Sequence, residues 1–153
     1  MDSLDLSPSQ RYAAAKRKSQ YPKLREFQER YDFPFDEFQL DAARILEEGH
    51  GVLVAAPTGS GKTIVGEFAA FLAMSAKRRC FYTTPIKALS NQKFLDLQKL
   101  FGNANVGLVT GDTNINSDAP IVVMTTEVLR NMLYATPQSL HDLSYVVMDE
   151  VHY

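Results

Sequence analysis

Two stretches of this chain hold residue types whose spacing points to phosphate chemistry. The first is Ala55-Ala56-Pro57-Thr58-Gly59-Ser60-Gly61-Lys62-Thr63, which sets two glycines, a lysine and a hydroxyl almost side by side. Gly59 and Gly61 let backbone N–H groups turn inward around an anion with no Cβ in the way. Lys62 then reaches the β- and γ-phosphates of a nucleoside triphosphate, and the Thr63 hydroxyl ligates Mg2+. The general pattern G-x-x-x-x-G-K-[ST] opens on glycine, whereas this stretch opens on Ala56. The second stretch, Tyr145-Val146-Val147-Met148-Asp149-Glu150, is an apolar run that ends in two carboxylates. Asp149 suits the coordination shell of the metal, and Glu150 suits a general base acting on the attacking water. Asp-Glu alone is a weak signal, but joined to an upstream Gly-x-Gly-Lys-Thr it defines a nucleotide site.

A phosphate-binding loop needs a strand before it and a helix after it. The β-branched apolar run 51–55 reads as that strand, and residues 62–76 carry helical apolar spacing. The alternation continues, with strands predicted at 80–84, 105–110, 121–125 and 145–149, and helices at 88–101 and 127–134. Most of these strands are continuously apolar, as in a parallel sheet covered by helices on both faces. Ligands of such sheets sit at the carboxyl ends of the strands, where Asp149 and Glu150 fall. The Asp-, Asn- and Ser-rich stretch 111–120 reads as a surface loop. Upstream, Ser7 caps a helix that opens on Pro8, and Pro22 interrupts it. A second short helix is predicted at 21–31 and a third at 36–49, with Phe38, Ala42, Ile45 and Leu46 on one face and Gly49 as its stop.

A length of 153 residues with 45% hydrophobic content suffices for a domain with a real core. No apolar run approaches the roughly 18 residues of a membrane span. The start of the chain carries Asp2 and Asp5 and no apolar segment, so no secretory signal is expected. Cys80, the single cysteine, opens a strand and reads as a buried inert thiol, in keeping with a reducing, cytoplasmic setting. His50, His141 and His152 show no metal-ligand spacing with it, so no zinc site is expected. A net charge of −2 says nothing about nucleic acid. Between Arg11 and Arg30, however, seven Lys or Arg stand against two Glu, which gives either an arm that touches a phosphate backbone or a solvated basic helix.

Asp149-Glu150-Val151-His152 resembles motif II of the superfamily 2 DExH-box helicases, and 56–63 resembles their motif I, in which Ala is a usual opening residue. Thr84-Pro85-Ile86-Lys87-Ala88-Leu89-Ser90-Asn91-Gln92 resembles motif Ia of the superkiller-like branch. Val109-Thr110-Gly111-Asp112 and Thr125-Thr126-Glu127-Val128-Leu129-Arg130 resemble its further strand-contacting motifs, and Phe35…Phe38-Gln39 its adenine-contacting motif. The similarity runs from about Phe33 to Tyr153 and is strongest to the actinobacterial HelY group.

The resemblance implies a RecA-like P-loop NTPase fold with a mostly parallel sheet. Residues 1–32 would form a short helical basic arm, and 33–153 an incomplete first RecA-like domain that stops after the motif II strand. It implies ATP and Mg2+ as cofactors, held by Phe35, Gln39, Ala56, Pro57, Thr58, Gly59, Ser60, Gly61, Lys62 and Thr63, with Thr63 and Asp149 on the metal. Lys62, Asp149 and Glu150 would be catalytic, and His152 would couple the ATP site to the rest of the motor. Gln39 would meet the adenine edge while Phe35 or Phe38 packs on its face. Thr84, Pro85, Lys87, Gly111, Thr126 and Arg130 would contact a single nucleic-acid strand without reading its bases, although Thr126 also reads as the cap of the helix after it.

The implied activity is that of a 3′–5′ helicase on RNA, with a DNA helicase or repair translocase, or a non-enzymatic remnant, as the alternatives. Such helicases need a second RecA-like domain for their arginine fingers, so the isolated stretch is expected to lack helicase activity. The family also inserts a later strand between the 51–55 and 145–149 runs. Without that neighbour, unpaired backbone groups at about 1–3 kcal/mol each are expected to leave the isolated chain poorly stable.

Overall fold

Ser7 and Asp36 start two of the three helices that open the chain. In this computed structural model, which describes residues 7–57, 61–135 and 137–151, these are α1 (Pro8–Gln20), α2 (Pro22–Gln28) and α3 (Glu37–Glu47). The Ser7 hydroxyl accepts from the Gln10 amide at 3.3 Å while the Gln10 side chain accepts from the Ser7 amide at 2.8 Å. Pro8 occupies the first helical position. Pro22 ends α1 and begins α2, whose first-turn amides at Lys23 and Leu24 donate to the Glu47 carboxylate at 2.9 and 3.0 Å. The last residue of α3 thus caps α2. Phe27, Tyr31, Phe33 and Phe35 pack as a ring cluster with centroids 5.1 to 6.1 Å apart. The buried stripe of α3 is Gln39, Ala42, Ala43 and Leu46. It is rotated from the expected face, so Ile45 is exposed.

The chain divides into two compact units, Met1–Ala55 and Ala56–Tyr153. The run 51–57 at their junction joins no strand, contrary to expectation, and Leu53 is 88% exposed. An apolar β-branched run becomes a strand only when a neighbour pairs its backbone, and among the described residues no strand pairs with this one.

The second unit alternates as expected. Its elements are α4 (Thr63–Ser75), β1 (Arg79–Thr84), α5 (Lys87–Phe101), β2 (Val106–Val109), β3 (Asn114–Ile115), β4 (Ile121–Thr125), α6 (Thr126–Ala135) and β5 (Leu143–Met148). Short 3-10 turns lie at Asn103–Asn105 and Pro137–Leu140. The sheet order is β3-β2-β4-β1-β5, parallel throughout except for antiparallel β3. That two-residue strand lies inside the predicted 111–120 loop. It runs so close to β2 that a Cβ on Gly107 would stand 2.1 Å from the Asn116 carbonyl oxygen.

β1, β2 and β4 are buried on both faces, which is why they read as continuous apolar runs. α4 and α5 pack on the sheet, as does α6, whose Leu129 joins a core cluster with Phe81, Val122 and Met124. β5 is the edge strand; it alternates in exposure, leaving Val146 and Met148 about half in solvent. Cys80 is fully buried, and burial pushes its thiol up to about 12. The inert-thiol expectation holds.

Candidate nucleotide and nucleic-acid site

The site is built at one edge of the sheet. β1 and β4 are in register at their ends, Thr84 opposite Thr125, and Val109 of β2 lies opposite Met124. The segments that carry Pro85, Lys87, Gly111, Thr126 and Arg130, including the N-terminal turns of α5 and α6, therefore follow the carboxyl ends of three neighbouring strands. β5 runs parallel to β1 and delivers Asp149 to the same edge, and the Asp149 amide extends the pairing by donating to the Thr83 carbonyl at 3.0 Å. Asp149 thus follows the carboxyl end of β5.

The phosphate-loop residues Thr58, Gly59 and Ser60, and also His152, lie outside the described residues. Ala56 and Pro57 precede the gap, and Gly61 follows it with φ +87°, a left-handed turn that favours glycine. Lys62 is the N-cap of α4 and Thr63 its first residue, exposed, with no side chain capping the helix start. The first-turn amides of α4 form the positive end of the helix dipole, which suits a phosphate. The donors available to a metal are a hydroxyl at Thr63 and a carboxylate at Asp149, both hard oxygen ligands of the kind Mg2+ takes. Among the described residues no group of three His, Cys, Asp or Glu is placed to hold a metal ion alone. The set fits a cation that shares its shell with phosphate and water.

Both Asp149 oxygens are engaged. Oδ2 accepts from the Tyr82 hydroxyl at 2.6 Å, and Oδ1 from the Glu150 amide at 2.9 Å. Glu150 itself adopts φ +57°, a strained backbone for a non-glycine residue and one that often marks functional sites. Burial, followed by the charge of Asp149 and the bond to it, raises the Tyr82 phenol well above its ordinary value. It remains a proton donor.

The expected strand contacts sort into two kinds. Lys87, Gly111, Thr126 and Arg130 are exposed, and Pro85 is half-buried. Thr84 is buried instead, its hydroxyl donating to the Ile86 carbonyl at 3.1 Å and lying 2.6 Å from the Ser90 hydroxyl. It shapes the turn rather than presenting a surface. The start of α6 is capped by Thr125, whose hydroxyl accepts from the Val128 amide at 3.4 Å. The Thr126 hydroxyl instead donates to the Thr84 carbonyl at 3.3 Å, tying the two loops together.

The adenine-contact residues lie in the first unit. Gln39 is buried, and its Oε1 accepts from the Asp36 amide at 2.7 Å as half of a capping box. Phe35 sits buried within the ring cluster, and Phe38 is half-buried.

Three residues that the sequence reading passed over enter the site. Tyr82 holds Asp149, and beneath it Lys93 and Glu67 form an ion pair at 3.3 Å whose side chains are 8% and 11% exposed. Their signal was a charge inside an otherwise apolar helix face, visible for Glu67 in α4.

The sequence profile of the DEAD/DEAH box helicases matches residues 36–153. The chain belongs to that family. It is 60% identical to "Probable helicase HelY" of Mycobacterium tuberculosis over 131 residues, which is 86% of this chain and 14% of the relative. To "Antiviral helicase SKI2" of Saccharomyces cerevisiae it is 49% identical over 80% of this chain and 10% of the relative. To "ATP-dependent RNA helicase mtr4" of Schizosaccharomyces pombe it is 45% identical over 91% of this chain and 12% of the relative. The chain therefore spans a small part of the length of these DEAD/DEAH box relatives. Among the described residues, no helix of this family member is long and apolar enough to cross a membrane.

Proposed function

We propose that this chain is the ATP-binding part of an ATP-dependent helicase that moves 3′ to 5′ along RNA. The observation that carries the reading is the shared edge: Asp149 and the exposed Lys87, Gly111, Thr126 and Arg130 all follow the carboxyl ends of adjacent parallel strands. A nucleotide and a single nucleic-acid strand would then meet the same sheet edge, so that a change at one is felt at the other.

In this reading the amides at the start of α4, together with Lys62, hold the β- and γ-phosphates, and Thr63 and Asp149 hold Mg2+. The loop residues Ala56, Pro57, Thr58, Gly59, Ser60 and Gly61 complete the cradle, and Gln39 with Phe35 orients the adenine. The bound cation would neutralise charge on the phosphates. Glu150 takes a proton from the attacking water, and His152 passes the state of the site onward. Lys87, Gly111, Thr126 and Arg130, with Pro85 and Thr84 shaping the track, hold sugar and phosphate and leave the bases unread. RNA is favoured over DNA because relatives named as RNA helicases match over most of this chain. The helicase domain starts near residue 33, which the family match from residue 36 supports, and residues 1–32 form an arm before it. We place the protein in the cytoplasm and assign the arginine fingers to a second RecA-like domain, so that the 153-residue stretch alone does not separate strands.

The test is Glu150→Gln and Lys62→Ala in the full-length protein. Glu150→Gln should keep ATP binding and lose RNA-stimulated hydrolysis by at least about a hundredfold, while Lys62→Ala should lose binding. Normal turnover by Glu150→Gln would remove Glu150 as the base, and faster unwinding of DNA than of matched RNA would replace the substrate.

A further inference from the structure

A buried polar chain runs under the nucleotide site and joins four elements of the second unit. Glu67 comes from α4, Lys93 from α5, Tyr82 from β1 and Asp149 from the end of β5. Tyr82 is 1% exposed, and its side chain lies on the α4 face of the sheet beside Val147. The ring reaches Asp149 because α4 offers no side chain at Gly66, where a Cβ would stand 2.9 Å from Tyr82 Cε2 and 3.2 Å from its hydroxyl oxygen. From the other side, Lys93 Nζ sits 4.9 Å from the Tyr82 ring centroid and is fixed there by its ion pair with Glu67. A buried ion pair adds little net stability by comparison with apolar packing of the same volume, so its presence here asks for another reason. Everything around Tyr82 constrains one outcome, the 2.6 Å bond from its hydroxyl to Asp149 Oδ2.

We propose that Tyr82 is a positioning residue for the metal-binding carboxylate: it fixes the Asp149 side chain by one oxygen, while Gly66 gives the ring its room and the Lys93–Glu67 pair holds it from below. With Oδ2 occupied by Tyr82, the rotation of the carboxylate is set before the cation and nucleotide arrive. Preorganisation of this kind lowers the cost of assembling a metal shell. Lys93 lies on the helix that starts at Lys87, so α5 carries both one end of this polar chain and a proposed strand contact.

This inference rests on the proposed Mg-ATP site. The experiment measures binding of a fluorescent ADP analogue to the full-length protein across a Mg2+ titration and in EDTA. The variants are Tyr82→Phe, Asp149→Asn and the double variant, with Lys62→Ala as reference. Tyr82→Phe removes only the hydroxyl. It should raise the Mg2+ concentration needed for half-maximal tightening about tenfold and leave affinity in EDTA unchanged. In the Asp149→Asn background the same change should add nothing, because Tyr82 acts through Asp149. An unchanged Mg2+ requirement in Tyr82→Phe, with wild type binding normally and Lys62→Ala not, would overturn the role of Tyr82 and spare the nucleotide site. Equal losses with and without Mg2+, or losses that persist in the double variant, would show a general packing role and would also overturn it. If wild type binds no Mg-nucleotide at all, the site reading itself fails and takes this one with it. Should Tyr82→Phe lower the melting temperature, the comparison within the Asp149→Asn background still decides, since a packing effect of the lost hydroxyl would persist there and an effect exerted through Asp149 would not.

Discussion

Lys87 Nζ lies 2.5 Å from Asp112 Oδ2, so the exposed cation expected to meet a nucleic-acid phosphate is held by a carboxylate from the neighbouring loop. The Lys87 ammonium, helped by the Thr110 hydroxyl, holds the Asp112 carboxyl below the usual carboxylate range. A depressed carboxylate keeps its ion pair at all pH above its ordinary value and loses it only as pH falls through the lower, folded value. At neutral pH the pair is therefore fully charged, and a phosphate meeting Lys87 would compete with Asp112 for its ammonium.

Asp112→Asn should for that reason tighten binding of single-stranded RNA to the full-length protein, by about threefold at low salt. The gain should shrink as salt rises and screens the exposed charges. Lys87→Ala should weaken binding and reduce the salt slope by about one. Fluorescence anisotropy across a salt series checks both. If Asp112→Asn binds less tightly at every salt concentration, the carboxylate is part of the binding surface instead of its competitor.

Cys80 gives a prediction whose sign follows from burial. Its thiol is raised to about 12 against an ordinary value of 9.0. A raised acid contributes stability in full below the unfolded value and loses it as pH climbs toward the folded one, at up to about 1.4 kcal/mol per unit. Alkylation of Cys80, followed by mass spectrometry of its peptide, should be at least about a hundredfold slower in the native protein than in urea at pH 7.5. The protection should fall as pH rises above about 9, beyond the gain in thiolate alone. Equal labelling in native and unfolded protein would contradict the buried assignment.

The legibility of this chain followed the reach of its interactions. Elements defined by local patterns, such as the Ser7 cap with Pro8 at the first helical position and the apolar runs of β1 and β4, were readable from sequence. The run 51–55 was misread because strand formation depends on a partner that local pattern does not contain. β3 escaped because two residues carry no periodicity. Asp149 was found as a carboxylate at a strand end, but Tyr82 was not: its role arises from a register that places it beside Val147 and from a gap at Gly66, neither of which spacing reveals. Thr84 was expected as a contact residue from the resemblance of its stretch to motif Ia, which does not reveal that its own hydroxyl turns inward to Ser90.

Gly107 carries the steepest stability prediction. The Cβ of Gly107→Ala would stand 2.1 Å from the Asn116 carbonyl oxygen and 2.8 Å from that of Ile115, both backbone atoms that cannot rotate away. Relief requires β3 to leave β2. The substitution should cost about 2 kcal/mol or more, and amide exchange should speed up at Asn114 and Ile115 first. Gly111→Ala, with nothing within 4 Å of the added atom, is the matched control and should cost far less.

The exposed apolar side chains of β5 govern how the 153-residue polypeptide behaves when prepared alone. β5 pairs with β1 on one side and closes the sheet order on the other, while Val146 and Met148 are 44% and 56% exposed. A strand at the end of the described sheet order that exposes apolar side chains offers a surface for association with another copy. The run 51–57, apolar and outside any strand, adds a second segment of the same kind. The isolated polypeptide should therefore associate at micromolar concentrations in light scattering. Val146→Lys places a charge on the exposed face of the edge without touching α4 or the Tyr82–Asp149 contact, and it should shift the population toward monomer. A wild-type polypeptide that stays monomeric at about 100 μM, with a cooperative melt, would show that the edge is protected in solution and that the exposure of Val146 has no such consequence.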